Sequence, residues 1–99
     1  MKTIGTVTID GENLSIDLES YLADGSPAID LMADDGPYAR FTVCIEDSDL
    51  QPGELLVKTW SENEFLRQPM LDTGLFEDTG RRVPSGFVTA EVWRFRNPV

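Results

Sequence analysis

The chain has 99 residues, eight bases against eighteen acids, a net charge of −10, one cysteine and no histidine. That length makes a single domain, residues 1–99, around one modest core. The missing histidine removes Ser-His-Asp and Cys-His catalysis, histidine-held metals and a histidine pH switch.

At 40% hydrophobic residues the chain is too apolar to be disordered, despite its charge. No apolar run approaches the ~18 residues of a membrane span. The opening MKTIGTVTIDGEN alternates apolar and polar residues and lacks the continuous apolar stretch of a signal peptide. Lone Cys44 has no internal disulfide partner. The expectation is a cytoplasmic protein with no membrane contact.

In chain order, Val7 and Ile9 lead into the turn Asp10-Gly11-Glu12-Asn13. Leu14, Ile16 and Leu18 then alternate with Asn13, Ser15, Asp17 and Glu19, the period of two of a half-buried strand. Asp24-Gly25-Ser26-Pro27 turns the chain. Ile29, Leu31 and Ala33 alternate next, and Asp34-Asp35-Gly36-Pro37 turns it again. Ala39, Phe41, Val43 and Ile45 complete a meander whose short turns favour antiparallel pairing. Leu55 to Lys58 reads as a short further strand.

Ser61-Glu62-Asn63-Glu64 has the spacing of a capping box and predicts a helix with Phe65, Leu66 and Met70 toward the core. Pro69 either kinks it or starts a second short turn, and Gly74 ends it with Leu75 following. Phe87 to Phe95 is apolar on both faces: Phe87, Trp93 and Phe95 on one, Val88, Ala90 and Val92 on the other. A strand of that pattern is a central one. The predicted fold is α+β, an antiparallel sheet of about five to six strands packed against one main helix. Its expected core is Leu14, Ile16, Leu18, Ile29, Leu31, Phe41, Val43, Phe65, Leu66, Val88, Ala90 and Val92. Trp60 and Trp93 are read as core or core-edge rings.

Charge is distributed unevenly. Up to Val57 twelve acids face two bases, Lys2 and Arg40; from Lys58 onward six acids and six bases balance. The whole excess lies in the first part, which repels nucleic acid and membranes and attracts basic partners.

No feature predicts catalysis, a metal or a cofactor. Cys44 reads as a small strand residue. The loop EDSDLQPGE offers Asp47, Asp49, Gln51 and Glu54. The calcium-loop pattern needs glycine and glutamate where Pro52 and Lys58 stand. Arg81 and Arg82, between Gly80 and Gly86, could grip an anion. The favoured alternative is that Asp78-Thr79-Gly80 is a turn and the arginines neutralise nearby carboxylates, since no helix N-terminus follows.

The stretch GELLVKTWSENEFLRQPMLDTGLFEDTGRRVPSGFVTAEVWRF resembles the C-terminal half of a family of small acidic bacterial proteins of unknown function. The likeness rests on a strand ending VK, SENE opening a helix, and DTGR and SGFV before the last strand. DGSPAIDLMADDGPYARFTV matches more loosely, as a hairpin with an acidic turn. The resemblance implies a gene often carried on plasmids, phages and integrative elements, without assigned enzyme activity, and no functional residue transfers from it.

Two function classes follow. In the first, the acidic face imitates nucleic acid and inhibits a basic nucleic-acid-binding effector, in an anti-CRISPR or anti-restriction role. Carboxylates two apart on a strand, such as Asp17 and Glu19, lie about 6.6–6.8 Å apart, close to every second phosphate at ~3.4 Å spacing. Asp10, Glu12, Asp30, Asp34 and Asp35 would extend the row. The partner is then a basic protein, with no direct nucleic-acid binding. In the second, the chain is a small accessory or scaffold protein whose acids give solubility, or reflect a host that favours aspartate over lysine.

Overall fold

The computed structural model describes residues 2–45 and 48–97. The antiparallel meander forms, with a fourth strand that stops at Arg40 and does not run on through Phe41, Val43 and Ile45 as expected: β1 (Lys2–Ile9), β2 (Glu12–Ser20), β3 (Pro27–Ala33) and β4 (Gly36–Arg40) make a four-stranded sheet in that order. Its turns sit at glycines with positive φ, Gly11 (+78°), Gly25 (+74°) and Gly36 (+135°), a conformation that costs glycine little. Leu14, Ile16, Leu31 and Ile29 are buried on its inner face, with Val7 and Ile9 from β1.

The second half departs from expectation. β5 (Glu54–Val57), β6 (Phe76–Ser85) and β7 (Val88–Phe95) form a separate three-stranded sheet in the order β5-β7-β6. The described residues hold seven strands in two sheets, against the five or six of the single sheet expected. β7 is central, as its two apolar faces required. Gly80 and Pro84 give β6 the look of a turn in the sequence. It is an edge strand instead, and an edge tolerates proline. The register slips between Asp78 and Arg82, where Gly80 takes φ +86°. Asp78-Thr79-Gly80 is thus a bulge within a strand, held by the Gly80 N–H donating to Asp78 Oδ1 at 2.9 Å.

The two sheets are joined at Thr42. The Phe41 N–H donates to Ile29 O in the first sheet, and the Val43 N–H donates to Leu56 O in the second. The chain changes sheet between those two residues, so they belong to different apolar clusters. Phe41 lies between the sheets, against Trp93 at 5.2 Å in an edge-on pair. Val43 packs on the far face of β5 and β7, over Leu56, Ala90 and Val92, together with Ile45, Leu50, Trp60 and Val83. That second cluster is why β7 is apolar on both sides.

The helix is short and divided. Ser61–Leu66 is a 3-10 turn, and α1 (Arg67–Asp72) follows it. The capping box does not form: Ser61 takes φ +56° and the turn has no side-chain cap. Buried Asn63 anchors the turn instead, its amide donating to Arg40 O at 2.8 Å. Pro69 falls in the first turn of α1, where an N–H has no helical acceptor anyway. Leu66 and Met70 are buried, but Phe65 is 52% exposed, contrary to its expected core position. Phe87 is also fully exposed, at the β6–β7 turn and outside the strand it was assigned to. Gly74 (φ +78°) ends the helix. α1 packs against β1 and β6, and the following Leu75 reaches Gly5, where any Cβ would stand 2.8 Å from Leu75 Cδ1.

Candidate functional site

The seven acids singled out in the sequence do not form one row. Asp17 and Asp30 are cross-strand partners on the outer face of the first sheet. Asp17 is only 5% exposed and accepts a hydrogen bond from Thr3 Oγ1 at 2.7 Å, so the expectation that it faces solvent fails. Asp30 is held by both nitrogens of the Arg40 fork, at 2.6 and 2.8 Å. The Arg40 guanidinium also lies 5.4 Å from the centre of the Tyr21 ring. These two carboxylates, neighbours across one strand pair, are spent on internal bonds.

The others divide between the two ends of the sheet. In an antiparallel meander alternate turns share an end, so Asp10 and Glu12 at the β1–β2 turn lie beside Asp34 and Asp35 at the β3–β4 turn. All four are exposed, and none has an ion-pair partner among the described residues. The centres of the two turns are two strand spacings apart, about 10 Å. Glu19 is exposed too, at the opposite end of β2. Eight residue steps from Glu12 to Ser20 separate the two ends of that strand by about 27 Å. Among the described residues no group of three or more acidic or thiol side chains is placed to hold a metal. Glu46 and Asp47, from the loop weighed for calcium, lie outside the described residues.

Arg81 and Arg82 act as neutralising residues, on opposite faces of β6. Arg81 donates to buried Glu54 Oε1 at 2.6 Å and to Asp49 O at 3.2 Å. Arg82 donates to both oxygens of Asp78, at 2.9 and 3.0 Å, and approaches Glu91 at 3.6 Å. Adjacent strand residues point to opposite sides, so the pair forms no common fork.

Sequence reasoning missed the network that Arg82 joins. Glu91 sits in β7 between Ala90 and Val92 and is buried against the interior. It accepts from Arg67 Nε at 3.1 and 3.0 Å, Thr59 Oγ1 at 2.9 Å and Trp93 Nε1 at 3.0 Å. Arg67 also reaches Asp78 at 2.9 Å. Burial pushes the Glu91 carboxyl up, but the hydrogen bonds from Arg67, Trp93 and Thr59 outweigh it and hold the group below its ordinary range. The Arg82 hydrogen bonds likewise hold Asp78 low, against partial burial. A carboxylate inside a strand apolar on both faces was the available signal, because such a charge requires partners. With every acceptor engaged, this is a structural junction between β6, β7 and α1.

No family model, curated protein or solved structure matches the chain. Among the described residues no helix is long and apolar enough to cross a membrane.

A concavity lies at the end of the first sheet away from the acidic turns. It is an open groove of about 870 Å³ between the end of β2 and the end of β7, and Lys2, Arg94 and Arg96 are among its lining.

Proposed function

We propose that this is a non-enzymatic acidic binding protein that engages a basic partner through the end of its four-stranded sheet. Asp10, Glu12, Asp34 and Asp35 are the contact residues. The observation that carries the reading is their common location and freedom: four exposed carboxylates on two neighbouring turns, with no cation bonded to them among the described residues. Such a cluster concentrates negative potential at one end, steering association with a positively charged surface. A basic nucleic-acid-binding effector presents that surface, and the protein would compete with its nucleic acid in a counter-defence role. The setting is cytoplasmic, where a lone cysteine stays reduced.

Asp17 and Asp30 favour a second reading, a small accessory or scaffold protein with no mimicry. Their internal bonds break the phosphate-like row, leaving a compact tip.

A displacement titration separates the two. Labelled duplex on a basic effector is titrated with the wild type and with the Asp10→Asn, Glu12→Gln, Asp34→Asn, Asp35→Asn variant. Mimicry expects displacement by the wild type alone. Equal potency of the two proteins would remove the tip as the contact surface.

A further inference from the structure

Cations are scarce in this chain, and nearly all of them are used. Six of the eight bases, Arg40, Lys58, Arg67, Arg81, Arg82 and Arg94, are paired with carboxylates. Lys2 and Arg96 have no such partner among the described residues, and both line the same groove.

The groove combines apolar and cationic lining. Leu18, Pro27, Pro52 and Phe95 supply apolar surface. Phe95 is fixed by ring contact with Phe76 at 5.5 Å, and its N–H donates to Gly53 O at 3.0 Å. The Arg96 N–H donates to Leu75 O at 2.9 Å, which fixes the backbone beneath that side chain. A volume of about 870 Å³ lies within the range of small-molecule sites, roughly 300–1,000 Å³.

Charge sets the ligand. Lys2, Arg94 and Arg96 face one lining carboxylate, Glu19, and Arg94 is already held by Glu77 at 2.8 and 2.5 Å. Among the described residues about one positive charge is left uncompensated, which matches a monoanion better than a phosphate dianion. The −10 field of the whole molecule opposes polyanions. We infer that this groove binds a small amphipathic monocarboxylate, its apolar body over Leu18 and Phe95 and its head at the Lys2 and Arg96 rim. This site is independent of the acidic turns, at the other end of the sheet.

The test is an amide NMR titration of the full chain. The ligands are decanoate and 1-naphthoate, with decanol and 1-naphthamide as neutral counterparts. Saturable shifts are expected at Leu18, Ser20, Gly53, Phe95 and Asn97. At least one acid should bind about tenfold more tightly than its neutral counterpart. Whichever acid binds better identifies the body as aliphatic or aromatic. A Lys2→Gln, Arg96→Gln variant should lose that tenfold preference and keep its affinity for the neutral compound. Both side chains are exposed, so this variant should fold, and Arg40→Gln serves as a control that leaves the preference intact. Equal binding of acids and neutral counterparts, shifts elsewhere, or no saturation at millimolar acid would overturn the assignment.

Discussion

Glu91 shows how much one side chain can organise. It satisfies Arg67, Thr59 and the Trp93 indole at once, and every buried side-chain polar atom among the described residues has a partner. Glu91→Ala strands the indole N–H and leaves Arg67 and Arg82 to share the single carboxylate of Asp78. Because both arginines are more than a third exposed at the side chain, water recovers part of the loss. The expected cost is about 2–3 kcal/mol, read by urea denaturation. The depressed carboxyls also fix a pH dependence. Their folded values lie below the ordinary 4.5 and 3.8 of Glu91 and Asp78, so their stabilisation is present above those values. It is lost as pH falls through the lowered ones. Thermal melts should fall steeply below about pH 4, and Glu91→Gln should flatten that fall. An unchanged acid limb in the variant would place the acid-sensitive group elsewhere.

At the scale of elements, alternation and turn chemistry made the meander readable, because each strand has one inner face and short glycine turns. β6 escaped notice because a bulge glycine and an edge proline look like turn residues when the neighbouring strand is unknown. The helix start was misread for a related reason. Ser-x-x-Glu spacing describes local chemistry, whereas Asn63 bonding to Arg40 O is a tertiary contact that no window of sequence contains. Phe65 and Phe87 illustrate the limit of counting apolar residues inward, since both are exposed. Of the candidate site, the exposure of Asp10, Glu12, Asp34 and Asp35 was legible from their turns. The loss of Asp17 and Asp30 was not, since Thr3 and Arg40 meet them only across strands. Ser61 gives a direct check. Its φ of +56° favours glycine, so Ser61→Gly should be neutral or stabilising by up to about 0.5 kcal/mol. A loss of about 1 kcal/mol or more would restore the capping box.

The whole molecule is two sheets around one main interior, joined by the chain crossing at Thr42 and by α1. Ile16 lies fully buried in that interior, so Ile16→Asp should cost several kcal/mol and remove the cooperative melt. A variant that melts like the parent would contradict the register of β2. Among the described residues, Asp10, Glu12, Asp34 and Asp35 lie without ion pairs at one end of the four-stranded sheet, and Lys2 lies without one at the other, beside Glu19 and about 27 Å away. The central claim is that the acidic end is a contact surface for a basic partner. The most direct test is the salt dependence of that complex, measured for the wild type and for the variant neutralised at Asp10, Glu12, Asp34 and Asp35. Screening acts within about 8–10 Å at physiological ionic strength, so affinity of the wild type should fall steeply with salt. The neutralised variant should bind weakly with a much flatter slope. Equal slopes for the two proteins would contradict the account.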